Sequence, residues 1–244
     1  MHNVFAIAKR ELKSYFGSPL AYVFIIVFLV MVGIFTFLYS GILERGEATL
    51  SDTFFFWHPF CFMILAPAIG MRLWSEEQRQ GTLELLLTMP VAPWQAIFGK
   101  FLASVVVIFV TLLLTFPVVG TLMFLGNPDI GAIVSGYLGS LLLGSSFLAI
   151  TVLISAFTRS QVVCFVVATV ICVIMTLIGH PVFVDFLRNT FKPWAAEAIA
   201  SLTAFEHYNE FTKGLILARD VVFFLALIFF CLFTTSVVLR GRRG

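Results

Sequence analysis

The 244-residue chain is 60% hydrophobic and 11% charged, with a mean hydropathy of +1.05. Soluble domains carry about 25% charge, so this composition excludes a soluble globular fold and marks an integral membrane protein. A net charge of +2, with basic residues set at segment ends and in loops, excludes nucleic acid as a partner.

In residues 1–17, Phe5, Ala8, Leu12, Tyr15 and Phe16 share one helical face, and Lys9, Arg10 and Lys13 share another. That pattern predicts an interfacial helix lying along the membrane before the first span. The apolar run that follows, 19–42, is longer than the roughly 7 to 15 residues of a signal-peptide core and reads as an uncleaved first span, with Pro19 in its first turn. The loop 44–52 holds three acids and one base and is expected to face outward. The second span is expected over 53–71, bent at Pro59 and Pro67.

Residues 72–100 form a long polar interruption between two apolar runs. Ser75 followed by Gln78 is a capping-box pattern and predicts a helix starting at 75, with Glu76 and Glu77 in its first turn and Pro90 ending it. Its polar face carries Glu76, Glu77, Arg79, Gln80 and Glu84; Leu83, Leu86 and Leu87 lie opposite. Such an amphipathic helix rests on the membrane surface or on a soluble partner.

The third to sixth spans are expected over 97–125, 131–157, 161–179 and 221–239, each near or above the roughly 20 apolar residues a bilayer needs. Pro117 is expected to bend the third. In the fourth, Gly136, Ser140 and Gly144 form a small-residue repeat that lets another backbone approach, either inside the chain or at a subunit interface. The segment 180–220 is aromatic and polar in alternation, and reads as one or two short helices in the outer interface. It serves either as a gate, with Phe205, Glu206, His207 and Tyr208 as candidates, or as a lid.

With six spans both termini share one side, which collects Lys9, Arg10, Lys13, Arg72, Arg79, Lys100, Arg159, Arg240, Arg242 and Arg243, against Arg45 alone in the short opposite loops. The termini and the 72–100 stretch are therefore expected in the cytoplasm. The fold class is an all-α membrane protein of one domain.

Several chemistries find no residues to carry them. The four cysteines fall in apolar runs and read as buried hydrophobes. His2, His58, His180 and His207 are scattered, so no metal site is expected. Apart from Lys100 at the start of the third, His58 is the lone acidic or basic side chain inside an expected span, which speaks against an ion-coupled carrier. Gly99-Lys100 is followed by Phe101, with Trp94 where a phosphate-binding loop would need its first glycine, so ATP hydrolysis is not expected on this chain.

Lys9-Arg10-Glu11-Leu12 before the spans, and Glu76-Glu77-x-x-x-Gly81-Thr82-Leu83-Glu84-Leu85-Leu86, Pro90 and Gly99-Lys100 between spans two and three, resemble the permease subunit of an ABC-2 type ABC transporter. Phe205-Glu206-His207-Tyr208, Lys213-Gly214 and Arg219-Asp220 are most similar to its gliding-motility-associated branch. The resemblance implies a twelve-span dimer in a bacterial cytoplasmic (inner) membrane. Two separate cytoplasmic subunits would bind ATP and Mg, with no cofactor on this chain. It casts Glu76, Glu77, Arg79, Gly81, Thr82 and Glu84 as ATPase-coupling residues, helped by the interfacial helix. The function implied is export; the alternative is a transducer that passes movement to a periplasmic or envelope partner without moving a substrate.

Overall fold

A backbone inside a bilayer has to satisfy its hydrogen bonds within each segment, and helix is the only regular structure among the described residues of the computed structural model, which are 2–39, 53–82, 92–125, 129–190, 199 and 201–241. In chain order these form α1 (His2–Gly17), α2 (Pro19–Ile34, continued by a wider turn Phe35–Tyr39) and α3 (His58–Gly70, entered through a tight turn Phe55–Trp57). Next come α4 (Arg72–Gln80), α5 (Pro93–Leu114), α6 (Phe116–Leu125) and α7 (Ile130–Phe157). The last are α8 (Gln161–Leu177), α9 (Pro181–Thr190), α10 (Ala204–Thr212) and α11 (Ala218–Gly241).

Among the described residues, five helical runs are long and apolar enough to cross a membrane: Ala21–Tyr39, Phe55–Gln80, Pro93–Thr121, Ile130–Phe157 and Ala218–Gly241. The sixth depends on a bent pair. The helix expected to span 161–179 stops at Leu177 and resumes as α9 at an angle of 72°. At about 1.5 Å per residue, the 17 residues of α8 fall short of a ~30 Å core, so α8 crosses fully only with help from α9.

Two other boundaries move. The second span does not end at 71 but continues through a single turn at Met71 into α4, one helical run to Gln80. Pro59 lies in the first turn of α3, where a missing N–H costs nothing, instead of bending its middle. The break in the third span falls at Thr115, two residues before Pro117; the Thr115 N–H and hydroxyl both turn to the Leu112 carbonyl.

The bundle is built around α7. In its apolar window 72% of the residues are buried, against 17% for α11, which therefore runs along the rim. Small residues let the neighbours of α7 come close. A Cβ on Gly136 would stand 2.6 Å from the Phe55 ring, one on Gly139 would stand 2.6 Å from the Phe211 Cβ, and one on Gly144 would stand 3.2 Å from Ile108. Gly136, Ser140 and Gly144 thus face partners within the chain. Gly139→Val is expected to lower stability by about 1–3 kcal/mol through overpacking, because the atom it meets is next to the Phe211 backbone. Gly120→Ala, with open space around it, is expected to be neutral or stabilising by up to about 1 kcal/mol. Thermal unfolding in detergent compares the two, and equal shifts would refute this account of the packing.

Candidate functional site

At the end of the bundle where α3 passes into α4, the sequence places acids and bases that cannot all reach water. Lys100 sits on the first turns of α5, and its side chain is 4% exposed. An ammonium has three N–H donors and no acceptor. Here they meet the Glu77 carboxylate of α4 at 2.8 Å, the Glu11 carboxylate of α1 at 3.5 Å and the Leu73 carbonyl at 3.2 Å. The Trp74 ring lies 5.2 Å from the ammonium and adds a cation–π contact. One cation therefore ties together three helices.

Further pairs surround it. Arg72 bonds Glu76 at 3.1 Å, Gln80 reaches the same carboxylate at 3.4 Å, and Arg10 bonds Glu11 at 2.8 Å. Tyr15 of α1 is buried against α3 and α5: its hydroxyl donates to the Ile69 carbonyl at 3.3 Å and lies 3.0 Å from the Ser104 hydroxyl. Burial pushes its phenol up to about 12, so it stays protonated. A cavity of about 240 Å³ opens among Glu11, Tyr15, Arg72, Glu76, Glu77 and Lys100. The second carboxylate oxygen of Glu77 is buried there without a hydrogen-bond partner.

The capping box predicted at Ser75 does not form. Because α4 grows out of α3 without a break in the chain's course, no free helix start exists at 75; the Ser75 hydroxyl bonds the Met71 carbonyl one turn earlier. Gln78 turns to α7, donating to the Ser155 and Ala156 carbonyls at 3.1 and 3.0 Å. Carbonyls in a last helical turn lack intrahelical donors, so this amide closes two of them and staples α4 to the end of α7. The helix then stops at Gly81, nine residues before Pro90, because Gly81 takes the left-handed conformation (φ +71°) that suits a C-terminal glycine.

Of the coupling candidates, Glu76 and Glu77 belong to the junction. Arg79, Gly81 and Thr82 lie exposed beyond it, with the Thr82 hydroxyl 3.5 Å from the Glu77 carbonyl. Glu84 lies outside the described residues, as do Leu83, Leu86, Leu87 and Pro90. On α1, Lys9, Arg10 and Lys13 are exposed. Glu11, Tyr15, Gln78 and Lys100 were not singled out as site residues by sequence reasoning. The signal was there for Lys100: a lysine about two turns into an apolar helix needs a carboxylate from elsewhere.

The four candidates at the opposite end are mostly interior. Phe205 packs on His180 with ring centroids 5.5 Å apart, and Glu206 is exposed. His207 stacks on Phe223 at 4.0 Å and holds Asp220 at 2.6 Å through Nδ1. Its Nε2 lies 2.9 Å from the Ser201 carbonyl, which accepts only, so that nitrogen carries a hydrogen. The Tyr208 hydroxyl donates to the Phe55 carbonyl at 2.9 Å and adjoins Ser140 at 3.1 Å, which in turn lies 2.8 Å from His58. Burial raises the Tyr208 phenol above its ordinary range.

Residues 5–239 match the family model described as ABC-2 family transporter protein, nearly the whole chain. No curated protein gives a significant match.

Removing one partner of a buried ion pair strands the other charge and costs about 3–5 kcal/mol, whereas replacing both is far milder. Lys100→Met and Glu77→Leu are therefore each expected to destabilise the chain more than the double variant Lys100→Met, Glu77→Leu. Melting curves of the four proteins form the test; strictly additive shifts would show that the pair does not interact.

Proposed function

Since the chain belongs to the ABC-2 family of transporter proteins, we propose that the Lys100 junction is where movement of the partner ATP-binding subunit enters the membrane-spanning helices. The chain is a multi-pass membrane permease subunit of an ABC transporter, and that family works with an ATP-binding subunit. The finer reading is that α1 is the interfacial elbow helix and α4 the coupling helix. Both lie on the cytoplasmic side of a bacterial inner membrane, two permease copies stand over two ATP-binding subunits that carry ATP and Mg, and cargo is exported. The assignment to the gliding-motility-associated branch belongs to the same proposal and rests on Phe205-Glu206-His207-Tyr208, Lys213-Gly214 and Arg219-Asp220.

One observation carries this reading: a single buried ammonium holds α1, α4 and α5 together, while α4 is the direct continuation of the α3 span. A loop would absorb a push by changing its dihedral angles. A helix that continues a span transmits it as rotation or displacement of that span. The Gln78 staple extends the transmission to α7, the most buried helix. Exposed Arg79 and Gln80, with Thr82 just past the Gly81 turn, are the groups free to meet the ATP-binding subunit.

Docking and transmission should separate by mutation. Arg79→Glu is expected to weaken binding of the ATP-binding subunit about tenfold or more, equivalent to about 1.4 kcal/mol. The double variant Lys100→Met, Glu77→Leu should still dock but lose stimulation of ATPase activity by cargo. Co-purification and ATPase assays on the reconstituted complex read both effects. Full docking by the first variant and full coupling by the second would refute the proposal. ATPase activity that tracks envelope partners and never a transported substrate would point to a transducer.

Orientation has its own test. In a chain freed of native cysteines, a cysteine at Thr49 should react with a membrane-impermeant reagent in intact cells, and one at Gln80 should react only after lysis. The reverse pattern would invert the topology.

A further inference from the structure

The rim helix α11 carries a stripe that neither the fold nor the junction uses. Leu225, Phe229, Phe233 and Val237 follow one another at helical spacing and are all exposed, and Arg240 ends the row. Trp94 and Phe98 of α5 face it, 50% and 47% exposed. Between them runs a groove of about 700 Å³, in the size range of ligand sites. Apart from Ser236 and Arg240 its walls are hydrocarbon and aromatic. Water gains no partners in such a space, whereas an acyl chain matches its apolar walls. Among the described residues Arg240 makes no ion pair or hydrogen bond.

We infer that this groove holds one phospholipid with an anionic headgroup, its phosphate on the Arg240 guanidinium beside Trp94 and one acyl chain laid along Val237, Phe233 and Phe229. A guanidinium presents a planar fork that takes phosphate oxygens in pairs, and tryptophan favours the headgroup level of a membrane. The dimensions agree. From Arg240 to Phe229 is eleven residues, about 16 Å of helix, close to half of the ~30 Å hydrocarbon core, which is one leaflet. Charge decides against a second copy of this chain as the occupant. A two-fold contact brings the same patch of both subunits together, so both Arg240 guanidinium groups would lie in one interface at the same membrane depth. No carboxylate lines the groove to offset them. An anionic headgroup supplies the missing charge.

The test uses the full-length chain with Trp57 and Trp194 changed to phenylalanine. Trp94 then remains, with Trp74, whose ring is buried away from lipid. In phosphatidylcholine vesicles, brominated phosphatidylglycerol should half-quench Trp94 at about a fivefold lower mole fraction than brominated phosphatidylcholine, the preference that one basic residue near an anionic headgroup confers. Arg240→Gln should abolish the difference. The unaltered chain provides a second measurement, retention of phosphatidylglycerol in native mass spectra, which should be lost in Arg240→Gln. Equal quenching by the two lipids would overturn the inference, as would a preference that survives Arg240→Gln. So would a disulfide between two copies carrying Trp94→Cys and Phe233→Cys, which would place a second copy in the groove.

Discussion

A lysine ammonium with almost no exposure survives only where carboxylates and carbonyls replace its water, because an unpaired charge in a low-dielectric interior costs several kcal/mol. Lys100 is in that position, and its three donors are shared among Glu77, Glu11 and the Leu73 carbonyl. Those partners come from helices that apolar packing alone would leave free to slide, since lipid and leucine are equally apolar. The ion cluster thus sets the registers of α1, α4 and α5 against one another. The Trp74 ring, the Tyr15 hydroxyl and the Gln78 staple complete a polar layer at one end of the bundle.

A second polar layer lies at the other end. His207 and Asp220 join α10 to α11, while Tyr208, Ser140 and His58 join α10 to α7 and α3. Asp220 is fully buried and keeps one carboxylate oxygen without a hydrogen bond, so the His207 contact at 2.6 Å and Arg219 at 3.2 Å are what offset its burial. Between the two layers the helices meet through small residues and aromatic rings, with Gly136 and Gly139 admitting Phe55 and Phe211. Directional bonds near both ends and close packing in the middle hold the spans together as one bundle.

The rim of the molecule follows different physics. Helix α11 is held by α7 on one side and leaves the other to lipid, so its outward face carries phenylalanine without becoming an aggregation hazard in a membrane. Arg240, where that face reaches the interface, makes the lipid contact selective by charge as well as apolar.

Much was settled by composition and periodicity alone. The apolar runs determined the class and the approximate positions of the spans, because a bilayer demands about 20 apolar residues per crossing whatever the packing. The polar stretch after residue 71 was recognisable as the place where the chain leaves the apolar phase, and Glu76 and Glu77 were picked out there. What the one-dimensional pattern could not contain is which residues meet from distant parts of the chain. Ser75 and Gln78 matched a local cap, yet Gln78 is spent on carbonyls 77 and 78 positions away, since open helix ends in the folded bundle outcompete a cap for which no free helix start exists. Helix α4 ends at Gly81, because a left-handed C-terminal glycine stops it there, while Pro90 lies outside the described residues. Lys100 appeared as one of ten bases marking a membrane side; only tertiary structure, by burying it against Glu77 and Glu11, made it the charge on which three helices depend.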